Sequence, residues 1–134
     1  MKKINSWECL NLLRDRFPKY DKYRQPYVAE WGNHADFMFA IMSPLQEYTL
    51  DVIRSHNTSE IKRIFDTAEY LMVLGDQDVQ NGVATQFLEN LMNANISEFI
   101  LIIPYLGEES IEYCRAWDKF TGVKTKGLWY DEQE

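Results

Sequence analysis

Asn57 to Asn93 reads NTSEIKRIFDTAEYLMVLGDQDVQNGVATQFLENLMN, and this stretch decides the fold. Its first half carries Ile61, Ile64, Phe65, Ala68, Leu71 and Met72 at three- and four-residue steps, which puts them on one face of a helix from about Thr58 to Leu74. Asn57 and Glu60 stand at capping-box spacing before that helix, and Gly75 is placed behind it as a left-handed stop. Asp76 then caps a second helix whose stripe is Val79, Val83, Phe87, Leu88 and Leu91, ending around Asn93 to Asn95. Two helices joined by so short a turn form an antiparallel hairpin.

Working outward toward the N-terminus, Asn5 or Ser6 caps a first helix with Glu8 in its first turn, and Pro18 follows its end. Trp7, Leu10, Leu13 and Phe17 are its apolar positions. Between Lys19 and Gly32 the period fails, with tyrosines at 20, 23 and 27 around Pro26, and a long irregular connection is expected. A second helical region opens near Asn33 with Phe37, Met38, Ile41, Leu45, Tyr48 and Val52, kinked or split at Pro44.

Toward the C-terminus the run Phe99 to Ile103 fits a buried strand or a short buried helix, and Ser97 and Glu98 favour the helix. After Gly107 a last helix carries Glu108, Glu109 and Glu112 early and Arg115 and Lys119 late, as the macrodipole prefers. Ile111, Cys114, Trp117 and Phe120 are its expected inner face, with Gly122 beyond its end. Val123 to Tyr130 then docks back as an extended arm through Trp129 and Tyr130. The expected fold is mainly α, one domain over residues 1–134, as an orthogonal helical bundle or a short HEAT-like helical solenoid.

A hydrophobic share of 46% in 134 residues is ample for a packed core. No run approaches the roughly 18 apolar residues of a membrane span. Met1-Lys2-Lys3 leads into Asn5, Ser6 and Glu8 rather than an apolar signal region, so a cytoplasmic location is expected. Cys9 and Cys114, far apart and outside any CxxC or Cys/His cluster, are read as reduced, partly buried thiols.

The net charge of −7 is unevenly spread. Residues 1–26 hold seven bases against three acids, +4, and residues 27–134 hold seven against eighteen, −11. The first part interleaves Arg14, Arg16, Lys19, Lys22 and Arg24 with Phe17, Tyr20 and Tyr23, ingredients of a single-strand nucleic-acid surface. Asp15, Asp21 and the acidic remainder weigh against that use and for an internal salt-bridge surface; no nucleic-acid partner is expected.

Chemistry-bearing motifs are scarce. Asp76-Gln77-Asp78 begins like a calcium loop, but the position for Gly is Asn81 and the position for Glu is Phe87. His34 and His56 have no second His or Cys at helical spacing, and no phosphate loop or hydrolase elbow occurs. Neither a cofactor nor a metal is expected, and the chain is not expected to be an enzyme. The features left over are acids, Asp76, Asp78, Glu108, Glu109, Glu112 and Asp118, which form the candidate partner-binding patch.

Gly75-Asp76-Gln77-Asp78-Val79-Gln80-Asn81 leading into Phe87-Leu88-Glu89 forms one recognisable segment, and Pro104-Tyr105-Leu106-Gly107 with Tyr113-Cys114-Arg115-Ala116-Trp117-Asp118-Lys119-Phe120-Thr121-Gly122 forms another. Over roughly residues 57–130 these resemble a family of small bacterial helical proteins, of the kind found among immunity proteins of polymorphic and contact-dependent toxin systems. The resemblance implies a protein that neutralises a toxin domain, such as a basic nuclease, by stoichiometric binding. The other reading of an acidic binding surface is a protein-interaction adaptor unrelated to toxins. Neither the partner's identity nor the oligomeric state is readable in the residues.

Overall fold

Asn5 opens the first helix with a complete capping box: its side chain accepts from the Glu8 N–H at 2.8 Å, and the Glu8 carboxylate accepts from the Asn5 N–H at 3.0 Å. The computed structural model describes residues 2–32 and 35–129. Within them α1 (Ser6–Arg16), α2 (Tyr20–Trp31), α3 (Met38–Arg54) and α4 (Thr58–Leu74) are followed by a run of three helical pieces. These are α5 (Gln77–Gly82), a π-helical segment (Val83–Leu88) and α6 (Glu89–Ala94), with helical backbone angles at each junction. Then come α7 (Ile96–Ile102), a 3₁₀ turn (Ile103–Tyr105) and α8 (Glu108–Thr121). The fold is mainly α, and no described helix is long and apolar enough to cross a membrane.

The bundle is wound on α3, which packs against α2, α4, α5, the π-helical segment and α7. A solenoid unit touches mainly its chain neighbours, so of the two expected architectures the chain adopts the bundle. One apolar cluster joins Leu10 and Leu13 of α1, Ile41 and Leu45 of α3, Phe65 of α4, Phe87 of the π-helical segment, Phe99 of α7 and Leu128 of the arm. Phe65 and Phe87 meet at its centre with ring centroids 5.6 Å apart.

Residues 19–32 are not the irregular connection their period suggested. They form α2, because the face it turns inward is written in polar-tipped side chains. Tyr20 and Arg24 are buried, the first donating its hydroxyl to the Ile41 carbonyl at 2.8 Å and the second donating Nη2–H to the Ala35 carbonyl at 2.9 Å. Pro44 does not split α3 either. It removes one backbone donor, and the helix continues because Ile41, Met42, Leu45, Tyr48 and Val52 are all buried. The helix begins at Met38; the earlier start suggested at Asn33 lies outside the described residues, as does His34.

The α4–α5 hairpin stands where its stripes placed it, and the ambiguous run after it is helix, with Ile103 in the 3₁₀ turn. Asn57 caps α4 by accepting from the Glu60 N–H, but the box is half made, since the Glu60 carboxylate turns to Arg63 and Tyr48. Gly75 is not left-handed: its φ of −69° and ψ of 153° are extended. Glycine is needed there for space, because a Cβ would lie 2.5 Å from both the Leu71 carbonyl oxygen and Val79 Cγ1. Through that narrow turn the N-terminal segment is stitched: Ile4 donates to the Leu74 carbonyl at 2.9 Å and accepts from the Asp76 N–H at 2.8 Å.

Candidate functional site

The start of α8 is built by a residue from another helix. Gly107 is its cap position and has no side chain to offer, so Glu69 of α4 reaches across. Its carboxylate accepts from the Glu109 N–H at 2.8 Å, the Ser110 N–H at 2.9 Å and the Ser110 hydroxyl at 2.8 Å. A Cβ at residue 107 would collide with the Glu69 side chain, so the glycine makes this approach possible. Glu69 was missed at the sequence level because it is distant in sequence from the helix end it satisfies.

With that end already holding one carboxylate, Glu108, Glu109 and Glu112 add three more, all exposed. Glu109 and Glu112 line a groove of about 390 Å³ between α4, α5 and α8, whose other walls include Met72, the exposed Val73, Gln80 and Tyr113. Farther along α8, Arg115 and Lys119 lie over the Trp129 ring at 5.8 and 5.6 Å from its centroid. The helix is therefore acidic at its start and basic at its end.

The remaining acids of the expected patch do not join this surface. Asp76 is half-buried and spends its side chain capping α5, accepting from the Val79 N–H at 3.0 Å. Asp78 is exposed but lines a different depression, of about 310 Å³, with Asp36, Phe37 and Met38. Two residues along α5, Gln80 lines the groove with Glu109 and Glu112, so α5 separates the two surfaces.

Asp118 is not a surface residue at all. It is 1% exposed and accepts from the Thr125 N–H at 2.7 Å, the Thr125 hydroxyl at 2.8 Å and Trp129 Nε1–H at 2.9 Å. It holds the C-terminal arm. The face of α8 that is buried runs through Ser110, Cys114 and Asp118, at four-residue steps. Two of those three are polar, so the apolar positions Ile111, Cys114, Trp117 and Phe120 share only Cys114 with the buried face. Phe120 is 81% exposed and stacks on the part-buried Trp117. The arm docks as expected through Trp129, while Tyr130 lies outside the described residues.

Many other carboxylates are occupied. Asp51 and Glu47, one turn apart on α3, accept the hydroxyls of Tyr23 and Tyr27 at 2.5 and 2.6 Å. Glu60 and Glu89 accept those of Tyr48 and Tyr113. The Asp51 hydrogen bond, then burial, pushes the Tyr23 phenol up to about 12; burial, then the Glu47 hydrogen bond, does the same for Tyr27. Burial also raises Tyr48 and Tyr113, each helped by its carboxylate.

The basic first stretch turns inward only in part. Arg14 pairs with Asp21 at 2.9 Å within the same stretch, rather than with the acidic body. Arg16 instead donates to the Thr67 hydroxyl at 3.1 Å and lies over the Tyr70 ring. Cys9 and Cys114 are free, and burial first, with Asp76 near one and Asp118 near the other, pushes both thiols up to about 12. Thiols so placed are protonated at neutral pH and are poor nucleophiles. Among the described residues no group of three or more His, Cys, Asp or Glu side chains converges as a metal ion would require.

Fold and surface together define an acidic, mainly α domain with three unengaged carboxylates gathered at the start of one helix. Within that class the chain belongs to the family described as a domain of unknown function, DUF7674, whose model matches residues 10–122. No curated protein and no solved structure matches it.

Proposed function

We propose that this chain is a non-enzymatic binding protein that neutralises a basic toxin domain by stoichiometric association, as an immunity protein of a bacterial toxin system. The observation that carries the reading is the α8 start. Glu108, Glu109 and Glu112 stand exposed around a helix end whose cap is already the Glu69 carboxylate, and among the described residues their own carboxylates have no hydrogen-bond or ion-pair partner. Like charges so close repel one another, and a cationic partner relieves that repulsion on binding.

The groove beside them supplies the second ingredient of an interface. Met72 and Val73 offer apolar area inside an acidic rim, the arrangement in which central contacts give affinity and rim charges give rate and selectivity. A basic catalytic cleft covered by this face would be both neutralised and closed to its substrate.

The test is to look beside this gene for one encoding a large secreted protein and to co-express that protein's C-terminal domain with this chain. Relief of growth arrest and co-elution as a 1:1 complex, weakened in Glu109→Gln/Glu112→Gln, is the expected result. Toxicity that persists in the presence of the folded chain, or a neighbourhood without such a gene, overturns the reading.

A further inference from the structure

The α2–α3 seam carries a second surface that the α8 reading does not use. Tyr23, Tyr27 and Trp31 follow one another at four-residue steps along α2, and each faces a ring of α3 or of its entry. Tyr23 meets Tyr48 at 5.4 Å, Tyr27 meets Phe39 at 6.1 Å and Trp31 meets Phe37 at 5.5 Å between centroids. The ladder starts in the core, where Tyr48 is buried, and climbs out of it. At its far end Trp31, Phe37 and Phe39 are 52%, 44% and 48% exposed. Rings of that size left half in water forfeit much of the gain that burial would bring, and they are the side chains most enriched where a partner docks.

Around the exposed rings the charge is mainly acidic, although Lys22 lies over the Tyr23 ring at 5.9 Å and Arg24 is buried on the inward face of α2. From Gln25 to Ile53 the sequence has no Lys or Arg, while it carries Glu30, Asp36, Glu47 and Asp51. Glu47 and Asp51 hold tyrosine hydroxyls; Glu30 is exposed and Asp36 half-exposed. Phe37 and Asp36 also form the edge of the depression that contains Asp78. Its remaining walls are uncharged: Ser6, Met38, Asn81, Gly82, Thr85 and Gln86. Among the described residues that line it, the depression therefore presents two carboxylates, hydroxyl and amide oxygens and the ring of Phe37, and no cation. It borders the π-helical segment, through Thr85 and Gln86, a backbone form that recurs at functional sites.

We infer that the α2–α3 face binds an arginine-bearing segment of a partner protein, with one arginine seated in the depression between Asp36 and Asp78 and others over the Trp31 and Phe39 rings. A guanidinium is the group this chemistry selects. It is planar, so it stacks on a ring face, and its fork of donors matches carboxylates on either side. An ammonium is satisfied by the acids but makes less of the rings, and phosphates are repelled. The inference is independent of the partner being a toxin.

The experiment titrates the ¹⁵N-labelled full chain with a short oligo-arginine peptide, with oligo-lysine of equal length as comparison. Shifts are expected at the Trp31 indole and at the amides of Asp36, Phe37, Asp78 and Asn81. Trp31→Ala is expected to weaken oligo-arginine about fivefold, and Asp36→Asn/Asp78→Asn about tenfold. The charge-matched Asp15→Asn/Asp66→Asn is expected to change it less than about twofold, since both residues are exposed on other helices, Asp66 paired with Lys62, and exposed charges contribute little. Equal losses in the two double variants, oligo-lysine binding as tightly as oligo-arginine, or shifts centred elsewhere would reduce the effect to net charge and overturn the inference. Circular dichroism establishes that each variant is folded.

Discussion

Trp129 donates its indole N–H to the Asp118 carboxylate at 2.9 Å, joining the C-terminal arm to a side chain that is itself buried in α8. Because the same carboxylate also takes both donors of Thr125, three polar groups, two of them buried, depend on one residue. Asp118→Ala is expected to lower unfolding stability by about 3 kcal/mol and to release the arm, read by urea denaturation and a red shift of Trp129 fluorescence. Asp118→Asn should cost less, since its oxygen can take the Thr125 and Trp129 N–H groups while its NH₂ faces the Thr125 hydroxyl, which can turn to accept.

A second prediction concerns high pH. Tyr23 and Tyr27 have folded-state values raised to about 12, and Tyr48 and Tyr113 are raised in the same direction. Burial of these phenols, and for Tyr23 first its carboxylate bond, favours the neutral form, so their contribution to the fold is fully present below the unfolded phenol value of about 10. That contribution is lost as pH rises from there through 12. Phenolate absorbance near 295 nm should accordingly rise late, together with loss of helix, and Asp51→Asn should bring the Tyr23 step back toward lower pH.

Glu69→Ala removes the cap of α8 and leaves the amides of Glu109 and Ser110 without their acceptor. A loss of about 1 kcal/mol is expected, as for other helix caps. Hydrogen exchange gives the sharper readout: protection should fall at Glu109 and Ser110 and persist at Cys114. Uniform loss along α8 would show that Glu69 acts on the whole helix packing instead.

Gly75→Ala sets a methyl group against backbone as well as against Val79. The Leu71 oxygen cannot swing aside as a flexible side chain would, so a cost of about 2 kcal/mol is expected. Because Ile4 bonds to both sides of this turn, the variant should also expose the N-terminal segment to limited proteolysis, which Gly122→Ala should not do.

Both cysteines test the integrity of the core without any change of sequence. With thiols buried and pushed up to about 12, labelling by a disulfide reagent at pH 8 should be slow in the native protein and fast in denaturant. Early reaction of Cys114 alone in Asp118→Ala would locate the loosening at the end of α8.

Helices whose inward faces are aliphatic were legible from spacing alone, as α4 and the Val79–Leu91 stripe demonstrate. Helices whose inward faces are polar were not. Tyr20 and Arg24 hide the period of α2, and Ser110 and Asp118 displace the apparent stripe of α8 onto Phe120. The partners of these buried side chains, Ile41, Ala35, Glu69 and Thr125, lie outside any local pattern, and Arg24 Nε is buried without one. The same blindness divides the candidate surface: acids that merely hold structure, such as Asp76 and Asp118, look in sequence like Glu109 and Glu112, which do not.

The stitch at Ile4 also has a consequence for how the chain is made. Its two backbone partners belong to Leu74 and Asp76, so the segment leading into α1 has nowhere to settle until the α4–α5 turn has been synthesised. At the usual pace of translation that interval lasts several seconds. For that time Leu10, Leu13 and Phe17 have no finished core to enter, and a nascent chain paused before the turn is the species that chaperones would find.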